Sequence, residues 1–154
     1  MKLESVTRPA VVADAEGISN VIAVTSRESN AADYAPETIE TVVSSSSPGR
    51  IEALIREGDF FVVEHGGRIV AAAGLVDETV RRLFVLPEYQ GAGIGRELLA
   101  ALEGATLRRG IQVLHVNSSL TAVGFYRKAG FADGAEESLD GIRFVRMSKR
   151  LAGG

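Results

Sequence analysis

Apolar and polar positions change rhythm along this chain, and each change marks an element. Ile18, Val21, Ile22 and Val24 recur at helical spacing behind Asp14, a good N-cap, which predicts a helix. Pro36 suits a first helical turn, with Glu37 and Glu40 near the positive end of the dipole. RIEALIRE, Arg50 to Glu57, predicts another short helix closed by Gly58. Between them, Ser44 to Ser47 followed by Pro48 and Gly49 punctuates rather than continues structure, and reads as a solvated connector.

The texture then turns to strands. DFFVVEHGGRIVAAAGLV alternates or runs apolar on both sides of HGG, a hairpin signal with Gly66 and Gly67 at the turn. TVRRLFVL, Thr79 to Leu86, is a β-rich run stopped by Pro87. A glycine loop and an amphipathic helix follow, the helix running to about Arg109 and ended by Gly110. Ile111 to Val116 predicts a strand, TAVGFYRKAGF a helix ended by Gly130, and Phe131 the start of another strand. IRFVRMSKRL alternates and closes the chain as the last strand. The predicted order is β-α-α-β-β-β-α-β-α-β-β, a mixed α/β (α+β) domain with an antiparallel first half. A doubly wound parallel sheet does not begin this way.

Composition narrows the functional classes. A chain of 154 residues is long enough for one domain with its own core, and residues 1–154 are expected to form one. With 17 basic and 20 acidic residues the net charge is −3, which provides no electrostatic footprint for duplex nucleic acid. Cysteine is absent, so disulfides and thiolate metal sites are excluded, and a cytoplasmic location is the simpler expectation. The opening MKLESVTRPA has no apolar core of a secretory signal, and no apolar run approaches the roughly 20 residues of a membrane span. No cluster of His, Asp and Glu suggests a metal.

The chemistry concentrates in YQGAGIGRELL, Tyr89 to Leu99. Gly91, Gly93 and Gly95 run straight into the amphipathic helix. A helix start leaves its first N–H groups without intrahelical partners and adds the positive end of the dipole, so it suits an anion. Gln90 and Arg96 flank the loop with further donors. The dinucleotide fingerprint G-x-G-x-x-G fails, because the third glycine comes one position early and Arg96 stands in its place. A P-loop fails because no Gly-Lys-Ser/Thr follows the glycines. A phosphate or pyrophosphate remains the natural guest.

LFVLPEYQGAGIGRELL resembles motif A of the GCN5-related N-acetyltransferases (GNAT), whose signature Q/R-x-x-G-x-G/A is matched here by Gln90-Gly91-Ala92-Gly93-Ile94-Gly95. NSSLTAVGFYRKAGF, Asn117 to Phe131, resembles motif B of the same family, and the distance between the blocks suits one helix and one strand. The resemblance implies a central mixed, mostly antiparallel sheet flanked by helices, with a strand pair that splays after the glycine loop. It implies acetyl-CoA as acyl-donor cosubstrate and a primary amine, on a small molecule or a protein, as acceptor. It also allows a homodimer, which nothing in the sequence forces.

By that resemblance, backbone N–H groups from Gln90 through Arg96 cradle the pyrophosphate. Leu83, Phe84 and Val85 pair with the pantetheine arm as an added strand would. Val85 is the expected donor to the thioester carbonyl, whose oxygen becomes an oxyanion in the transition state. Tyr126 is the expected acid for the departing thiolate, a phenol with an ordinary pKa near 10. The general base is where this chain departs from the family, because the strand position that often carries Glu is Thr79, with Glu78 beside it. Adjacent strand residues point to opposite faces, so Glu78 serves only if a bulge re-aims it.

Other positions stay open. Ser119 suits either a cofactor contact or the N-cap of the following helix. Asn117 can bond the pantetheine or cap the splayed sheet. His115 lies on the strand beside the cleft, where a lone His in an apolar strand is more often a structural residue, and His65 falls in the hairpin turn. Asp33, Tyr34 and Glu137 are candidates for gripping a cationic acceptor, or members of a solvated face. A non-catalytic acyl-CoA-binding or regulatory domain is the alternative reading of the same motifs.

Overall fold

The computed structural model describes residues 4–151. Seven strands form one sheet in the order β1-β2-β3-β4-β5-β7-β6: β1 (Ser5–Pro9), β2 (Asp59–His65), β3 (Arg68–Val76), β4 (Thr79–Val85), β5 (Val113–Ser119), β6 (Ala132–Leu139) and β7 (Ile142–Arg150). Every neighbouring pair is antiparallel except β4 with β5. The helices are α1 (Ala15–Ser29), α2 (Pro36–Ser44), α3 (Pro48–Glu57), α4 (Ile94–Arg108) and α5 (Val123–Lys128). Three helices, not two, therefore lie between the first strand and the hairpin. The serine connector separates α2 from α3, and Ser47 accepts from the Arg50 N–H as the cap of α3, which starts at Pro48 rather than Arg50.

The apolar run VAAAGL of β3 is buried on both faces, which explains why it does not alternate. Ala71, Ala73 and Leu75 belong to the core that Leu98, Leu99 and Leu102 of α4 complete. Ala72, with Phe60 and Val62 of β2, belongs to the core formed by Ile18 and Ile22 of α1 and Ile51 and Leu54 of α3. Ile18, Ile22 and Ile51 are fully buried, each contributing about 1.5–3 kcal/mol by the area rule. Helices on opposite faces thus clamp the middle of the sheet.

Two features of β4 create the site. Ala72 pairs with Phe84 but Gly74 pairs with Arg81, so Arg82 and Leu83 together oppose one residue of β3. This is a β-bulge, and Arg82 adopts φ +52° within it. On its other side β4 pairs with β5 only at Thr79–His115 and Val80–Val116. Beyond Val80 the two strands separate. The ladder of β5 continues instead with β7, from Val113–Arg150 to Ser119–Phe144. The expected splay therefore opens after the second residue of β4.

Candidate active site

A cleft of about 640 Å³ occupies the splay. It is lined by the glycine loop and by the α2–α3 connector, with Val80 and Arg82 to Val85 of β4 and Val116 to Ser119 of β5. Leu83, Phe84, Val85, Gln90, Gly91, Gly93, Ile94, Gly95, Arg96, Asn117, Ser119 and Tyr126 all line it. Ala92 of the same loop does not, although its backbone lies between two residues that do.

The glycines divide by physical role. Gly91 and Gly93 have φ +81° and +85°, a region that side chains disfavour, and a Cβ on either would meet no protein atom within 4 Å. Gly93 is the left-handed N-cap of α4, and the Glu97 N–H is bonded to its carbonyl at 3.1 Å. The N–H groups of Ile94, Gly95 and Arg96 precede that first helical bond and so lack helical acceptors. Gly95 serves packing: a Cβ there would lie 2.9 Å from Cε1 of Phe125. Its missing side chain lets α5 seat against α4. Gln90 is turned back from the loop mouth, its Nε2 donating to the Val85 carbonyl at 3.0 Å and to Ser29 Oγ at 3.2 Å. Arg96 Nη1 donates to the Lys128 carbonyl at 3.2 Å.

Val85 is oriented by its neighbours. The Leu86 N–H bonds the Val70 carbonyl at 2.9 Å, so by strand alternation the polar groups of Val85 point away from β3. Its carbonyl accepts from Thr25 Oγ1 at 3.3 Å as well as from Gln90. Two side chains thus hold this peptide still at the mouth of the splay.

Tyr126 is 4% exposed and packs edge-on to Phe125 and Phe131 with ring centroids 5.1 and 5.3 Å apart. Burial alone pushes its phenol well above the ordinary tyrosine value, with no hydrogen bond or charge opposing the shift. It is therefore a neutral O–H at physiological pH. Ser119 caps the turn at Leu120–Ala122, its Oγ accepting from the Ala122 N–H at 3.2 Å. Asn117 is exposed on β5, opposite Arg146 of β7.

Glu78 and Thr79 are not brought to the cleft. Neither lines it. The bulge falls at Arg82 and Leu83, downstream of both, so it does not turn Glu78 inward. Glu78 sits in the β3–β4 turn with its carboxylate 4.0 Å from Nε2 of His115, both side chains about half exposed. The candidates for gripping a cationic acceptor are likewise engaged elsewhere. The Tyr34 hydroxyl donates to the Arg143 carbonyl and accepts from the Leu120 N–H, each at 2.8 Å. Burial raises its pKa. Asp33 accepts from Thr121 Oγ1 at 2.7 Å, and Glu137 pairs with Arg146 at 3.0 Å. His65 is not a free turn residue: it ends β2, with Nδ1 2.8 Å from the Glu4 carbonyl and its ring edge-on to Tyr89.

Sequence reasoning missed Thr25, Arg82 and the Ser45–Ser46 pair, which line the cleft from elements distant in the chain. Thr25 carries no local signal, being one of several polar residues on an amphipathic helix. Arg82 does carry one: two consecutive arginines interrupt an apolar strand, and alternation cannot send both to solvent.

The sequence model of the acetyltransferase (GNAT) domain matches residues 30–151, most of the chain. The chain belongs to the GNAT acetyltransferase family. A GCN5-related N-acetyltransferase from Rhodopseudomonas palustris superposes with a TM-score of 0.89 at 25% identity, over 98% of this chain and 99% of that one. The PaiA N-acetyltransferase of Thermoplasma acidophilum, solved in complex with coenzyme A, has the same fold, with a TM-score of 0.78 at 23% identity over 96% and 99% of the two chains. An IAA acetyltransferase of Azospirillum brasilense is 32% identical over 83 residues, 48% of this chain and 54% of that protein. The chain spans about half the length of the curated relatives it matches. Among the described residues no helix is long and apolar enough to cross a membrane.

Proposed function

We propose that the chain is one acetyltransferase domain that moves an acetyl group from acetyl-CoA to a primary amine by direct attack. The observation that carries this reading is the continuity of the cleft. Unpartnered N–H groups at the start of α4 open onto the same space as the fixed Val85 peptide and the buried Tyr126 phenol. The loop N–H groups would hold the pyrophosphate, and the free edge of β4 would pair with the pantetheine amides.

In this reading a neutral amine attacks the thioester carbonyl carbon, and its lone pair becomes the new C–N bond. The carbonyl oxygen takes the π electrons as an oxyanion facing the Val85 N–H. On collapse the C–S bond breaks, and the leaving sulfur takes the proton of the Tyr126 hydroxyl. The proton lost from nitrogen passes to water and returns a proton to the phenolate, so charge balances. Burial keeps Tyr126 protonated but makes it a weaker acid, so in this reading the transfer relies on the phenol's position against the departing sulfur rather than on its pKa. No carboxylate lines the cleft among the described residues, so water rather than a named base receives the amine proton.

The test is free-thiol release from acetyl-CoA over a panel of primary amines, alongside coenzyme A binding. Release with at least one amine, largely lost in Tyr126→Phe, is the expected result. Coenzyme A binding with no release for any amine would leave a non-catalytic acyl-CoA-binding domain instead.

A further inference from the structure

Arg82 stands where a charge is least expected, half-buried at the bulge of an otherwise apolar strand. Its Nε donates to Ser46 Oγ and its Nη2 to the Ser45 carbonyl, both at 3.1 Å. Both acceptors are neutral, and Nη1 has no partner among the described residues. The charges close enough to act on it are Arg50 and Arg81, both cations. Arg8, Arg27, Arg68, Arg109, Arg127, Arg143 and Arg146 pair with a carboxylate. The other described arginines without such a pair are all exposed, whereas Arg82 is half-buried. Holding a half-buried guanidinium among cations without a counter-charge is unfavourable, and it points to an anion that is absent from the chain itself.

The rest of the cleft says which ligand brings that anion. Its charged lining residues are Arg96 and Lys128 at the glycine-loop end and Arg82 at the connector end. A phosphate-bearing donor held at the loop accounts for the first two and leaves Arg82 uncompensated. The loop between α1 and α2 also crosses to the turn at Leu120–Ala122, fastened there by Asp33 and Tyr34, and Asn30 and Thr121 from these two segments line the cleft.

We propose that Arg82 binds a carboxylate of the acceptor, so that the acceptor is a small amine of the amino-acid class rather than a polyamine or a protein lysine. The planar guanidinium fork, steadied by Ser45 and Ser46, leaves Nη1 free to meet a carboxylate oxygen. This rests on the acetyl-transfer reading above, but its test does not depend on turnover.

The proteinogenic amino acids and their methyl esters are titrated by calorimetry into the protein saturated with coenzyme A, where no acetyl transfer occurs. At least one acid should bind about 10- to 100-fold more tightly than its ester, the range for a charge-assisted hydrogen bond. Arg82→Gln should bring acid and ester within about 2-fold of one another while coenzyme A affinity stays unchanged. Ser46→Ala, which removes a tether but keeps the charge, should retain the discrimination, and Arg82→Lys should retain part of it. The proposal is overturned if no acid is preferred over its ester, if Arg82→Gln weakens both alike, or if Ser46→Ala abolishes the discrimination as fully as Arg82→Gln. It is overturned equally if polyamines or lysine peptides bind more tightly than every acid. If discrimination holds but no acid releases thiol from acetyl-CoA, the anion site stands and the acetyl-transfer reading fails.

Discussion

The two ends of the cleft are built from different materials. At the glycine loop the donors are backbone N–H groups, aimed by one helix start and two left-handed glycines. At the connector end the donors are side chains: Arg82 from β4, Ser45 and Ser46 from between α2 and α3. A backbone site needs only local geometry, so six consecutive residues specify it. A side-chain site needs several distant segments to arrive together, and each can change without disturbing the others. On the proposed function, the backbone end would serve one unvarying donor and the side-chain end the choice of acceptor.

The sharpest test is at Tyr126, the proposed proton donor, which lines the cleft with both sets of residues. Tyr126→Phe keeps the packing with Phe125 and Phe131 and removes the proton. We expect kcat to fall by about 100-fold or more, with coenzyme A affinity unchanged. The pH dependence carries its own sign. Burial raises the folded-state pKa above the unfolded value, so the stability contributed by the neutral phenol is complete below about pH 10 and is lost as pH rises through the folded value. The alkaline fall in stability should therefore be smaller in Tyr126→Phe. A loss of activity setting in well below pH 10 belongs to some other group.

Next in size is the donor end. Gly93→Val has room inside the protein but must adopt φ +85°, and its side chain would enter the space proposed for the anion. Left-handed strain of about 1–2 kcal/mol plus that obstruction should weaken coenzyme A binding about 10- to 100-fold. Gly95→Ala separates packing from binding. Its Cβ would press on Phe125, so we expect destabilisation of about 1–3 kcal/mol, read as a drop in Tm of several degrees, with a smaller effect on affinity. If Gly93→Val leaves coenzyme A affinity intact, the loop does not cradle phosphates.

The same contrast explains what was legible in the sequence. The hairpin at Gly66-Gly67 and the loop from Gln90 to Arg96 are local, and the structure has them where turn residues put them, whereas the strand expected at Ile111 to Val116 runs from Val113 to Ser119. The splay was expected from family resemblance, since no local pattern encodes where β4 and β5 part. The three glycines look equivalent in sequence; only the position of Phe125 shows that one of them serves packing. Asp33, Tyr34 and Glu137 look like a solvated acidic surface. The partners of Asp33 and Tyr34, Thr121 and the Arg143 carbonyl, lie 88 and 109 residues away in the chain, beyond any spacing rule, whereas Glu137 meets Arg146 across the β6–β7 hairpin.

Tyr34→Phe tests whether the acceptor end depends on that long-range fastening. The substitution removes the acceptor of the Leu120 N–H and the donor to the Arg143 carbonyl. A cost of about 1–3 kcal/mol to the local tether should loosen the α1–α2 loop. The acceptor KM should then rise by about 3- to 10-fold while coenzyme A affinity holds. A change confined to coenzyme A binding would assign the loop to the donor end instead.

The smallest effect is expected at Glu78, and its smallness is informative. Glu78 is exposed, faces His115 and stands outside the cleft, so Glu78→Gln should change kcat/KM for the amine by less than about 3-fold. With no carboxylate lining the cleft among the described residues, the reactive species in the proposed mechanism is amine that has already lost its proton. The acid limb of kcat/KM should therefore follow the pKa of each amine tested, shifting as more and less basic acceptors are compared. A base supplied by the protein would instead set one acid limb common to every amine. If that common limb appeared and Glu78→Gln moved it, the β3–β4 turn would have to reach the cleft in the working enzyme, and the acceptor end would extend past the splay to His115.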